Sequence, residues 1–381
     1  MSSKEAYEAQ FGTRPGLWTC MLVKNRTLGF GKVFAIGFPG RKDRRDTLVL
    51  ASSLTDIDIE WSDAVPFNDI PTKGIHKNWY QKDVNNSGTR ALIGSQRAHF
   101  NVMQKMIEQH ISTALILEDD QDWEYHIKDQ VEAVAQAFRS LQEDLVDKTT
   151  NKSPYGDSWD MLWLGHCRAA PHNDEENIVI LGNDPTVPPT DERHSSWYQQ
   201  HVPPEVISNT TRLAFELHKG MCTFGYGVTL KGAQKVLAGL ALAGSNRPFD
   251  TAMNDMCRGA INPPFRCYGV YPPIFSTHRF AGSEAKDSDL STWSAAKEHV
   301  EYTFDIVYSV IQNAARLLQG SKTVKSQWPG STYVGEMPIN ETINYDITPT
   351  RIIWKDLPLE TDHIVQRPKW GPEQLIRGKP T

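Results

Sequence analysis

Short, mostly apolar runs alternate along the chain with longer segments whose apolar residues recur every three or four positions. The runs "KVFAIGF" (Lys32–Phe38), "TALIL" (Thr113–Leu117) and "WDMLWLG" (Trp159–Gly165) read as buried strands, and "IDIEW" (Ile57–Trp61) alternates with the period of two of a strand. Between them lie helical patterns. One covers Thr47–Leu54. One follows Gly88 and places Phe100, Met103, Ile107 and Ile111 on one face. One runs from His126 to Leu145 with Val131, Val134, Phe138 and Leu141 aligned. Strand and helix in strict alternation predict a single α/β domain with a mostly parallel sheet flanked by helices.

The rhythm breaks over His166–Asn209, which is polar and rich in His and Pro and reads as a long surface excursion. "LAFEL" (Leu213–Leu217) and "CTFGYGVTL" (Cys222–Leu230) predict two more strands, Lys231–Gly244 a helix, and "CYGVYPPIF" (Cys267–Phe275) a late strand ended by its prolines. Ala295–Gly320 carries Val300, Phe304, Val307, Ile311, Ala314 and Leu318 as one stripe, and predicts a long helix packed on the core. Beyond Gly320 the chain is Pro-rich, with Trp328, Trp354 and Trp370 scattered through it. The organisation expected is an N-terminal extension over 1–30, one domain over 31–320 and a wrapping segment over 321–381.

Composition narrows the function classes. The chain has 381 residues and a formal net charge of −6. Its densest basic patch, Gly40–Asp46, is interrupted by Asp43, which argues against general nucleic-acid binding. No segment approaches the roughly eighteen apolar residues of a membrane span. The N-terminus lacks the apolar core of a secretion signal, so read alone it points to the cytoplasm. Five N-x-[ST] sequons, at Asn25, Asn85, Asn151, Asn209 and Asn340, exceed the about two expected by chance and point instead to the secretory lumen (Golgi or ER). The cysteines show no metal-type spacing. Cys257 and Cys267 flank a short Gly/Pro loop and are the first candidate disulfide, Cys167 with Cys222 the second; buried free thiols are the alternative, with Cys20 left over.

The third strand ends in acids: "TALILEDDQDWE" carries Glu118, Asp119, Asp120, Asp122 and Glu124. Ligands of open α/β sheets bind beyond the carboxyl ends of strands. Several carboxylates there suit a hard divalent ion, Mg²⁺ or Mn²⁺, shared with substrate phosphates. A solvated turn opening the next helix is the plainer alternative. Arg41, Arg44 and Arg45 follow the first strand and would border the same edge, guanidinium being suited to phosphate. His278 precedes a Gly/Ser/Asp loop. Asp250 and Asp255 start a short helix, where either is a candidate general base and Asp250 also a candidate N-cap.

The ordered series "VFAIGFPGRKDRR", "IDIEWSDAV", "GTRALIGSQRAHFNVMQKM", "ALILEDDQDWE", "WDMLWLGHC", "TFGYGVTLKGAQKVL", "FDTAMNDMC" and "YPPIFSTHRFAGSEAKDSDLS" resembles glycosyltransferase family 25, most of all its fungal members. The match spans Val33–Ser291. It departs from the family at Arg97-Ala98-His99, where a Ser-His pair is usual. The resemblance implies a GT-A-type domain that transfers a hexose, typically galactose, with inversion, from a UDP-sugar to a hydroxyl of a glycan or glycoprotein acceptor. Carried over, it implies Glu118, Asp120, Asp122 and His278 as metal ligands, with Glu118-x-Asp120 and Asp120-x-Asp122 both fitting the acidic motif. It implies donor contacts from Arg41, Arg44, Arg45, Ser95 and Asp119, and a base at Asp250 or, second, Asp255. Two other readings stay open: a non-catalytic carbohydrate-binding member of the fold, and a metal-dependent nucleotidyl or phosphoryl transferase, although no glycine-rich phosphate loop is present.

Overall fold

The computed structural model describes residues 23–142, 153–171, 175–189, 192–193, 208–289, 297–328 and 335–353. Expectations for Cys20, Asn151, Trp354, Trp370, most of the N-terminal extension and parts of the excursion and wrapping segment fall outside these residues.

The first half follows the predicted alternation: β1 (Lys32–Gly37), α1 (Lys42–Leu54), β2 (Glu60–Asp63), α2 (Ser87–Glu108), β3 (Thr113–Glu118), β4 (Gln121–Trp123), α3 (Ile127–Ser140) and β5 (Met161–Gly165). Then come β6 (Arg168–Ala170), β7 (Glu175–Gly182), β8 (Arg212–Glu216), β9 (Lys219–Met221), β10 (Gly225–Thr229), α4 (Leu230–Val236) and α5 (Phe249–Cys257). The last described part holds β11 (Cys267–Tyr271), β12 (Phe275–Arg279), β13 (Gly282–Ser283), β14 (Glu298–His299), β15 (Tyr302–Thr303), α6 (Val310–Leu318), β16 (Thr323–Lys325), β17 (Glu336–Pro338) and β18 (Asp346–Ile353).

The nine-stranded central sheet has the order β18-β7-β8-β11-β5-β10-β3-β1-β2. Strands β1, β2, β3, β5, β7 and β11 run one way, and β8, β10 and β18 run against them. The sheet is thus mostly parallel in direction, with the reversed strands interleaved. Gly37, Asp63 and Glu118 close three adjacent parallel strands at one edge.

Both faces of the sheet's centre are buried, which explains why β1, β3 and β5 are apolar along their length rather than alternating. Val33, Ala35, Leu115 and Leu117 pack with Leu48 and Ala51 of α1 and Val131, Val134 and Phe138 of α3. Phe34, Ile36, Ala114 and Ile116 point the opposite way, against Met103 and Met106 of α2 and Val236 and Met253 of α4 and α5. Truncating one such residue to Ala costs about 2–5 kcal/mol, so the strand ends that carry the acids rest on a stiff base.

Three expectations are corrected. The long helix over Ala295–Gly320 is only Val310–Leu318. Upstream, β14 and β15 pair with β13 and β12, and Asp305 is left-handed (φ 54°), which ends any helical run there. The Glu124 carboxylate accepts from the Val307 and Tyr308 amides, and Ser309 caps α6 by accepting from Gln312. Val300 and Leu318, at the two ends of the predicted stripe, are exposed. The second correction concerns "CYGVYPPIF". The prolines end β11 at Tyr271, and a new strand, β12, then carries His278 inside a three-stranded ribbon with β4 and β15 rather than at a loop. The predicted strand Ile57–Trp61 also lies further on, at Glu60–Asp63.

Candidate active site

Glu118 ends β3 opposite Ile36 of β1, and its amide donates to the Phe224 carbonyl at 3.1 Å. Asp119 and Asp120 then turn the chain out of the main sheet into β4. The Asp119 carboxylate folds back over Gly37, and a methyl group at Gly37 would overlap it. That close approach requires glycine at the end of β1.

The counter-charge comes from within the chain. In α1 the buried residues Arg44, Leu48 and Ala51 fall at i, i+4 and i+7, so the stripe facing the core begins with a cation. Arg44 Nη1 donates to Asp119 Oδ1 at 2.7 Å, and its Nη2 lies 3.5 Å from Asp120 Oδ2. Arg279, at the end of β12, donates to Asp120 Oδ2 at 2.9 Å. Both guanidiniums also donate to the Asp287 carbonyl, at 2.7 and 2.8 Å, which lays the loop after β13 across them. Arg279 was not legible as a site residue. The signal was strand alternation: if His278 faces one side of β12, its neighbour faces the other.

Electrostatics separate the three acids. Burial raises the Glu118 carboxyl to about 8, helped by repulsion from Asp120, Asp119 and Asp250 and opposed by Arg44. Burial raises Asp119 to about 6 against the pull of Arg44. Burial would also raise Asp120, but Arg44 and Arg279 together outweigh it and hold Asp120 below the usual carboxylate range. Among the described residues the Glu118 carboxyl is hydrogen-bonded only weakly, by the Thr223 hydroxyl at 3.4 Å. Of the three acids it is the one without a direct ion pair there.

Asp250 lies in the first turn of α5 and faces Glu118 electrostatically. Pro248 holds the cap position, so Asp250 is not the N-cap. Its Oδ2 accepts from the Cys222 amide at 3.0 Å, and Asn254, one turn on, accepts from the Gly220 amide at 2.8 Å. Behind them the buried His99 accepts or donates at Tyr226 Oη (2.9 Å) and stacks on Phe249 at 4.1 Å. Tyr226 also feels the charge of Glu118. Thr223 and Tyr226, like Arg279, were missed from sequence.

The remaining candidates are distributed otherwise. The Asp122 carboxylate accepts from Thr303 at 2.8 Å, from the Trp123 amide at 2.8 Å and from the Ser309 hydroxyl. His278 Nδ1 meets the same Thr303 hydroxyl at 2.9 Å, and its Nε2 lies 3.3 Å from Glu301. Asp122 and His278 therefore belong to a second polar cluster, joined to the first through the backbone bond from His278 N to the Asp120 carbonyl (2.7 Å). Asp255 pairs with Arg247 at 3.0 Å. Arg45 donates to the Phe38 and Gly37 carbonyls and stacks on Trp61 at 4.3 Å, buttressing the β1 turn. Arg41 donates to Asp43, Asp289 and the Lys286 carbonyl, on the rim of the site. Ser95 is half-buried on α2 and enters none of the acids' hydrogen bonds. An open groove of about 400 Å³ between α1 and β2, beside Leu48 and Trp61, contains none of the acids and is no part of this site.

Among the described residues no three carboxylates, imidazoles or thiols already stand together as a metal cage. The donor set still suits a hard cation. Glu118 is a partly buried oxygen donor with no direct ion pair among the described residues, and Asp120 is next but one to it in the chain.

Comparison with known proteins identifies the family. The family described as glycosyltransferase family 25 (LPS biosynthesis protein) matches residues 30–253. Procollagen galactosyltransferase 2 of Mus musculus is 24% identical over 218 residues, covering 55% of this chain and 28% of that protein. Procollagen galactosyltransferase 1 of Danio rerio is 20% identical over 235 residues (58% and 31%), and 1-B of Xenopus laevis 23% over 281 residues (70% and 39%). The matched region therefore spans well under half the length of these curated relatives.

Proposed function

The chain belongs to glycosyltransferase family 25, and from that premise we propose that it moves a hexose, galactose first among them, from a UDP-sugar to a hydroxyl of a glycan or glycoprotein, inverting the anomeric carbon. The observation that carries this reading is the meeting of Glu118, Asp119 and Asp120 with Arg44 and Arg279 at the carboxyl edge of the parallel strands.

A divalent ion, when bound, would help neutralise the departing diphosphate. Glu118 and Asp120 are the residues that would hold it, Glu118 because among the described residues its carboxyl has no direct ion pair and only one weak hydrogen bond. Arg44 and Arg279 bring two fixed positive charges to the same edge, suited to phosphate oxygens in a site largely closed to water. Arg41 adds a third at the rim. Asp250, half-buried and oriented by the Cys222 amide, is the carboxylate best placed to accept the acceptor hydroxyl's proton. Asp255 is tied to Arg247 and is not carried forward. Two disulfides and exposed sequons favour the secretory lumen as the compartment.

The test is a donor screen. UDP release is measured from UDP-galactose, UDP-glucose and their N-acetyl forms with Mn²⁺ or Mg²⁺. Release from at least one UDP-hexose, with UDP-galactose fastest, is expected; release from none, with every ion, contradicts the reading.

A further inference from the structure

Both disulfides converge on α5. Cys257, the last residue of α5, is bonded to Cys267 at the start of β11. At the other end, Cys167 is bonded to Cys222, whose amide holds the Asp250 carboxylate at 3.0 Å. Cys222 is left-handed (φ 64°), a backbone state that side-chain-bearing residues rarely adopt. Three contacts keep it there: the disulfide itself, the bond from Trp163 Nε1 to the Cys222 carbonyl (2.7 Å) and the bond from the Cys167 amide to the Met221 carbonyl (3.1 Å). The next residue, Thr223, turns its hydroxyl toward Glu118. One left-handed residue thus reaches both Asp250 and Glu118, from opposite sides of its peptide link.

We infer that Cys222 is a positioning residue, and that its bond to Cys167 fixes the turn that orients Asp250 and Glu118 toward each other. The inference rests on the reading of this edge as the transfer site. It makes the site depend on an oxidised Cys167–Cys222 pair while the hydrophobic cores on the two faces of the sheet do not.

The test compares wild type with Cys167→Ala/Cys222→Ala and Cys167→Ala/Cys222→Gly. Glycine adopts the left-handed state without a crosslink. Amide hydrogen exchange reads the turn and the first turn of α5 without any ligand, and UDP release from UDP-galactose reads the chemistry. The Ala/Ala form should exchange at least tenfold faster over 220–225 and 249–254 and turn over at least tenfold more slowly, with the helices of the core still protected. The Ala/Gly form should recover a substantial part of both. Unchanged exchange in the Ala/Ala form, or equal loss in both forms, overturns the positioning role. If wild type releases no UDP, the transferase reading fails separately, and exchange alone still decides whether the turn positions Asp250.

Discussion

The Arg44 guanidinium lies 2.7 Å from the Asp119 carboxylate, with only 8% and 6% of the two side chains exposed. A pair so buried gains little over an apolar pair, but breaking it from one side strands a charge. Arg44→Met should therefore lower stability by about 3–5 kcal/mol. Arg44→Met/Asp119→Leu should recover part of that loss, the remainder being the counter-charge that Asp120 also loses. Denaturant midpoints of the two variants measure it; equal losses would mean the pair is not coupled.

Glu118 separates stability from function. Its carboxyl is raised to about 8 because its charged form is buried among other anions. Glu118→Gln keeps the shape and removes the charge. It should stabilise the protein at pH 8 by on the order of 1 kcal/mol. It should also abolish ion-dependent UDP binding. A variant that is less stable at pH 8 would show that Glu118 already has a counter-charge.

Glu124 gives a pH dependence away from the reacting edge. Burial raises it from an ordinary 4.5 to about 8, outweighing the amides of Val307 and Tyr308. Between those values the unfolded chain has lost a proton that the native chain keeps, so stability falls as pH rises and levels off above pH 8. Glu124→Gln should remove one proton's share of that slope, about 1.4 kcal/mol per pH unit at most. It also turns an amide NH₂ toward a backbone N–H, so the midpoint drops at every pH and the slope is the readout. Denaturation at pH 5, 6.5 and 8 gives it; an unchanged slope assigns the titration elsewhere.

Asn25, Asn85 and Asn340 are exposed. Asn25 Oδ1 accepts from the Thr27 and Gly29 amides, leaving its Nδ2 unused in that turn. Chain made through a eukaryotic secretory route should carry glycans at Asn85 and Asn340, seen as mass loss on enzymatic deglycosylation. Asn85 and Asn340 both unmodified would argue against a lumenal compartment.

The sheet was readable because a strand buried on both faces must be apolar throughout, as in Phe34–Ile36 and Leu115–Leu117. The acidic edge was readable because Glu118–Asp120 ends such a run abruptly. Both disulfides matched the candidate pairs. What was hidden depends on partners far away in sequence. The periodicity of Ala295–Gly320 does not reveal that Glu124 will claim the Val307 and Tyr308 amides and delay the helix. Nor does "EDDQD" say that Asp122, beyond the turn, will face Thr303 and Ser309 while Asp120 faces two arginines. The period of two was the one local clue: it separates Asp120 from Gln121, and His278 from Arg279.

The central claim is that the carboxyl edge around Glu118 and Asp120 is a cation-dependent UDP site, and calorimetry tests it most directly. UDP is titrated into wild type and Asp120→Ala, each with Mn²⁺ and with chelator. Binding by wild type only with the ion, and none by Asp120→Ala, is the predicted result. Equal binding by Asp120→Ala, or no UDP binding by wild type with any divalent ion, would contradict it.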